Sequence, residues 1–193
     1  MTKVLLTGFE PFGKASLNPS GEIVKQIKGD NIVTAILPVA YAQSAERLLA
    51  LIAQHNPDVV ICLGQAEGRT QITPERIAIN LDDGRLADND GEMRNDVPII
   101  VGGPVAYEST LPIKDFVKAI NDAGVPAAIS LSAGAFLCNH VFYVAQNKFV
   151  GTKVRSGFVH VPLMDVQAGE FPGLPTMPLD QMVKAVRAML EVL

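Results

Sequence analysis

Asp58-Val59-Val60-Ile61-Cys62-Leu63-Gly64 holds five apolar residues in a row between an acidic start and a glycine end. A strand wetted on one face alternates apolar with polar residues, so an unbroken apolar run marks a strand covered on both faces. Working outward, Lys3-Val4-Leu5-Leu6-Thr7, ended by Gly8, has the same character. Residues 32–37, 127–131 and 157–161 predict further strands, and residues 71–81 predict one with period two. Ile23, Val24 and Ile27 follow a cap at Asn18 or Ser20, while Leu48, Leu49 and Ile52 recur at helical spacing. Helices are also expected over 113–120, 138–146 and 179–193. Strands alternating with helices define an α/β chain, one domain over residues 1–193. Its architecture is a three-layer αβα sandwich with a mostly parallel (mixed) central sheet. In such a sheet ligands sit beyond the carboxyl ends of the strands. Residues 85–105, rich in Asp, Asn and Gly, form a long irregular excursion, and loops of that length are usually functional.

Composition narrows the function classes. The 193 residues are 48% hydrophobic and 19% charged, with a net charge of −4. A disordered or collagen-like chain is excluded, and with no basic block electrostatic binding of nucleic acid is not expected. Two cysteines do not make a disulfide scaffold. Val4-Leu5-Leu6 is too short for the apolar core of a targeting signal, and residues 125–138 are too broken to span a bilayer. A cytoplasmic protein with free thiols is expected. The oily composition hints at a buried subunit interface.

Gly8-Phe9-Glu10-Pro11-Phe12-Gly13-Lys14 follows a strand and matches the spacing of a phosphate-binding loop. That loop needs Ser or Thr next, for the magnesium ion, and Ala15 stands there. Pro11 lacks an amide hydrogen, and Asn18-Pro19 delays the helix that would hold the phosphates. The two phenylalanines suit either a loop packed on itself or an apolar wall for a small ligand. No metal-ligand spacing is present, and no cofactor motif.

Of the two cysteines, Cys62 sits inside the apolar run and reads as a core thiol. Cys138 follows the small-residue turn Ser132-Ala133-Gly134-Ala135 and begins a helix, where the dipole is expected to stabilise a thiolate. It reads equally as a buried helix cysteine. A thiol nucleophile needs an imidazole within reach. His55 lies in a polar turn. His140 is two residues beyond Cys138, about 200° around a helix, so the two side chains diverge. His160 lies near the carboxyl end of Gly157-Phe158-Val159-His160-Val161 and is the natural partner. Alternation in residues 71–81 turns Glu75 inward with Ile77, Ile79 and Leu81. A buried carboxylate needs a partner: either the imidazole, as third member of a Cys–His–Glu set, or an arginine such as Arg69 or Arg85.

These residues lie in stretches that resemble the pyroglutamyl peptidase type I family of cysteine peptidases along nearly the whole chain. The resemblance rests on Leu6-Thr7-Gly8-Phe9-Glu10-Pro11-Phe12-Gly13, Asn18-Pro19-Ser20 and Gly64-Gln65-Ala66. It continues in Ile72-Thr73-Pro74-Glu75-Arg76-Ile77-Ala78-Ile79-Asn80, Gly134-Ala135-Phe136-Leu137-Cys138-Asn139-His140 and Phe158-Val159-His160-Val161-Pro162. It implies a phosphorylase/hydrolase-like fold, with Cys138 as nucleophile, His160 as base and Glu75 as acid. It further implies an oxyanion role for Arg85 beside the Cys138 amide, and a pyroglutamate pocket of Phe9, Phe12, Gln65 and Phe136 with Asn18 and Asn80. Asp88 falls where an aspartate would support the site. Lys14-Ala15 departs from the family, which tends to carry a second glycine there. The implied activity is removal of an N-terminal pyroglutamyl residue from peptides, by a homo-oligomer, often a tetramer. Two other classes remain open: an NTPase using the Gly8–Lys14 loop, and a non-catalytic binding module of nucleoside-phosphorylase-like architecture.

Overall fold

The computed structural model describes residues 2–193. The two apolar runs become β1 (Val4–Phe9) and, after α1 (Pro19–Gln26), β2 (Ile32–Leu37) and α2 (Tyr41–His55), β3 (Val59–Gln65). Every residue of β1 and β3 is buried, as strands covered on both faces require. Next come β4 (Thr73–Pro74), β5 (Ile77–Ile79), β6 (Ala106–Glu108), α3 (Ile113–Asp122), α4 (Leu137–Phe149) and β7 (Arg155–Val161). The chain closes with β8 (Leu163–Met164), a single 3₁₀ turn, β9 (Thr176–Met177) and α5 (Leu179–Glu191). The main sheet has the order β2-β1-β3-β7-β4, with β4 antiparallel to β7 and the other neighbours parallel.

Period-two alternation splits the core into two. Leu6, Ile61 and Val159 point to one face, under Ile23 and Val24 of α1, Phe116 of α3 and Met182 of α5. Leu5, Val60 and Phe158 point to the other, under Leu48 of α2 and Phe142 of α4. Each fully buried side chain of this size contributes roughly 1.5–3 kcal/mol. Asn18 caps α1 by accepting the Ser20 N–H at 3.1 Å. The α2 N-terminus has no cap of its own, and Asp88 of the long excursion supplies one by accepting the Tyr41 N–H at 2.9 Å. Among the described residues no helix is long and apolar enough to cross a membrane.

Two expectations need correction. Residues 71–81 do not form one strand: β4 joins the main sheet, whereas β5 pairs with β6 in a separate hairpin. The alternation reverses between them, so Ala78 is buried while Ile77 and Ile79 are only partly so. Glu75 is fully buried, but through its place beside β7 and not through a shared face with the isoleucines. Residues 127–131 are not a regular strand either. They run parallel to 72–76 through bonds such as Ala128 N–H to Ile72 O and Arg76 N–H to Ser130 O. Pro74 has no N–H to give, and only isolated bridges remain.

Candidate active site

The sheet order reverses where β1 lies between β2 and β3, and crevices form at the carboxyl ends of strands beside such a reversal. Phe9 ends β1, Gln65 ends β3 and His160 is the penultimate residue of β7. All three strand ends face one region. On β7, His160 shares a face with Phe158, the face covered by α4. Cys138 lies in the first turn of α4 and is half-buried. Gly64 permits the approach of helix and strand. A Cβ there would stand 2.8 Å from Cys138 Sγ and 2.6 Å from the Phe158 ring.

The antiparallel register pairs Thr73 with His160 and continues through the Glu75 N–H bond to Phe158 O at 2.9 Å. Glu75 is thus the diagonal neighbour of His160 on one face, within reach of a long side chain. Glu75 Oε1 lies 2.8 Å from His160 Nδ1. The same oxygen lies 2.8 Å from a guanidinium nitrogen of Arg69, which also donates to Ser132 O at 3.0 Å. The two partners expected as alternatives for Glu75, imidazole and arginine, are both present. With Nδ1 donating to the carboxylate, Nε2 keeps the lone pair.

Burial pushes the Cys138 thiol up to about 12, and the negative charge of Glu75 adds to the rise. Burial also holds His160 below the ordinary imidazole value, against the upward pull of Glu75. Both shifts favour the neutral forms, a thiol and an uncharged imidazole, over the thiolate–imidazolium pair. Cys62 is a core thiol, raised to about 11 by burial.

Cys138 and His160 open onto a cleft of about 490 Å³ that is also lined by Arg69, Arg85, Phe136 and Gln65. Beside Cys138 is a small pocket of about 20 Å³, walled by Phe9, Phe12, Asn18, Val39, Gln65 and Phe136. Five of the six residues expected to hold a substrate meet there. Asn80 does not. Its side chain accepts the Ile100 N–H at 2.9 Å and donates to Ile100 O at 2.8 Å, pinning the excursion. Asp88 is also away from the cleft and accepts the N–H groups of Asp90 and Glu92 besides that of Tyr41. Lys14 lies over the Phe171 ring at 4.6 Å, which ties its loop to the segment after β8.

Sequence reasoning missed a second buried set. Asp82 Oδ2 is 2.8 Å from His140 Nδ1 and 2.8 Å from a guanidinium nitrogen of Arg94. His140 does diverge from Cys138, and it fastens α4 to the excursion instead. Nor did Gln167, fully buried and hydrogen-bonded to Gln65, carry any sequence signal.

The family model described as pyroglutamyl peptidase matches residues 2–193. The chain belongs to the pyroglutamyl peptidase family. A pyrrolidone-carboxylate peptidase of Vibrio vulnificus (strain YJ016) is 48% identical over 195 residues, covering 98% of this chain and 92% of the relative. One from Bacillus thuringiensis (strain Al Hakam) is 43% identical, covering 100% and 93%. The crystal structure of Bacillus amyloliquefaciens pyroglutamyl peptidase I superposes with a TM-score of 0.94 at 42% identity, covering 98% of this chain and 95% of that one. A mutant pyrrolidone carboxyl peptidase from Pyrococcus furiosus gives 0.92 at 40%, covering 98% and 97%. Pyroglutamyl peptidases are cysteine-type hydrolases that remove N-terminal pyroglutamate, and this chain is an enzyme of that family.

Proposed function

We propose that this pyroglutamyl peptidase works by acyl transfer through Cys138, His160 and Glu75. The observation that carries the assignment is the 2.8 Å contact of His160 Nδ1 with Glu75, in a cleft shared with Cys138. As the pyroglutamyl carbonyl approaches, His160 Nε2 takes the Cys138 proton and Sγ attacks the carbonyl carbon. The oxyanion is held by the Cys138 N–H, which as a first-turn amide has no intrahelical acceptor, and by Arg85. A single such donor is worth about 3–4 kcal/mol in a well-studied hydrolase. Imidazolium His160, held by Glu75, gives its proton to the leaving amine. Water, activated by His160, then hydrolyses the thioester and releases pyroglutamate.

Phe9, Phe12 and Phe136 offer flat apolar walls, and Gln65 offers a neutral hydrogen-bonding group. A lactam has an apolar face, one N–H and one C=O, and matches them. A prolyl ring brings a charged amine and no carbonyl. Sites deprived of a built-in hydrogen bond reject analogues by about 10⁴-fold. Comparing kcat/KM for pyroglutamyl, prolyl and glutaminyl reporter amides tests the pocket, and a prolyl substrate within tenfold of the pyroglutamyl one overturns it. The working enzyme is cytoplasmic, consistent with its two free thiols, and a homo-oligomer, supported by Val101 and Val105, which are 89% and 85% exposed.

A further inference from the structure

Gln65 Nε2 is buried and, among the described residues, has no hydrogen-bond partner, in a residue lining both the cleft and the small apolar pocket. The two orientations of an amide side chain differ only by exchange of its N and O, so its polarity is assigned from its partners. Those partners are unusually decisive. Gln167 Oε1 lies 2.9 Å from the Met164 backbone nitrogen, which can only donate. Gln167 Nε2 lies 3.1 Å from the Leu17 carbonyl oxygen, which can only accept. Two obligate partners fix the Gln167 amide. Its remaining N–H faces the Gln65 oxygen, with Nε2 and Oε1 3.1 Å apart. The Gln65 oxygen is therefore turned toward Gln167, and its N–H₂ is the half left for a ligand.

We propose that Gln167 is a positioning residue that sets the polarity of the pyroglutamyl pocket, so that Gln65 donates and the pocket reads the ring carbonyl of the lactam. This rests on the pocket assignment above. Phe9, Phe12, Val39, Phe136 and Leu137 supply no acceptor from their side chains, and Asn18 Oδ1 already accepts from the Ser20 N–H and hydroxyl, so the free Gln65 donor is left for an acceptor that a ligand brings. A pyroglutamyl ring does and a prolyl ring does not. Gln167 itself lies on the 3₁₀ turn after β8 and touches the substrate only through Gln65.

The test is a double-mutant cycle on a pyroglutamyl reporter amide with Gln167→Met, Gln65→Met and the pair. Gln167→Met lets the Gln65 amide rotate and should raise KM about tenfold, with kcat within about twofold. In the Gln65→Met background the same change should add nothing. Iodoacetamide should alkylate Cys138 in the Gln167→Met protein at the wild-type rate. A merely structural Gln167 predicts losses that multiply, or a fall in kcat and alkylation rate together, and either result overturns the proposal. Gln65→Glu guards against a misfolded Gln167→Met. It keeps an acceptor for Gln167 and offers the pocket no donor, so KM should rise at least as far, and an unchanged KM contradicts the proposal. If the wild-type protein fails to cleave the reporter amide, the pocket assignment itself has failed, a result distinct from all of these.

Discussion

At the scale of residues, desolvation decides how the proposed nucleophile and base rest. Burial raises the thiol and lowers the imidazole, which favours the neutral form of each and proton transfer in concert with attack on the substrate. The acid limb of kcat/KM reports protonation of His160. Because the folded value lies below the ordinary 6.5, activity is retained as pH falls through 6.5 and is lost only beneath it. Glu75 raises His160 through its hydrogen bond and charge. Glu75→Gln should therefore move the limb to lower pH, and should lower kcat more than it changes KM, since the imidazolium loses its counter-charge. A pH profile of both proteins checks this, and a limb above 6.5, or one moved upward by Glu75→Gln, contradicts it. Cys138 and His160 stood out in the sequence because each is costly where it stands, a thiol at a helix start and an imidazole in a strand, whereas Glu75 was read as buried through an alternation that the structure does not keep. Gln167 did not stand out, because its partners Met164, Leu17 and Gln65 include residues 102 and 150 positions away. Asn80 fell in a family stretch, yet its side chain is used in holding the backbone at Ile100 and Gly103.

At the scale of elements, α4 is set by what it is fastened to. Asn139 accepts the Ile79 N–H at 2.9 Å and donates to Ile79 O and Leu81 O, which joins the helix start to β5. The Asp82–His140–Arg94 set joins the next residue to the excursion that carries Arg85. His140→Ala leaves Asp82 with Arg94 as its charged partner, and should cost about 1–3 kcal/mol of stability. It should lower kcat far less than His160→Ala does. Denaturant unfolding and steady-state kinetics on the two variants check this, and an essential His140 with a dispensable His160 reverses the assignment. Gly64→Ala places a methyl group against both Cys138 Sγ and the Phe158 ring. Overpacking of this kind costs about 1–3 kcal/mol, and here it should also displace the thiol, lowering kcat and the alkylation rate together. The major strands and helices were legible from periodicity. The division of 71–81 was not, since two- and three-residue strands in different sheets leave too few repeats to reveal a reversal of alternation. The interruption at Pro74 had a local cause, visible only once 127–131 was known to lie alongside.

At the scale of the whole molecule, the sheet brings Phe9, Gln65 and His160 from three strand ends to the mouth of one cleft, and α4 delivers Cys138 to it. Val101 and Val105 of the excursion are exposed. If the enzyme is the tetramer suggested by family resemblance, light scattering should return four times the 20.6 kDa chain mass, and a single-chain mass at working concentration contradicts an oligomer. Of the two thiols, Cys138 alone is proposed to perform the chemistry. Release of a reporter amine from a pyroglutamyl amide by wild-type, Cys138→Ser and Cys62→Ser proteins of equal thermal stability tests it most directly. Turnover should be abolished in Cys138→Ser and kept in Cys62→Ser, and activity retained by the Cys138→Ser protein would contradict a Cys138 nucleophile.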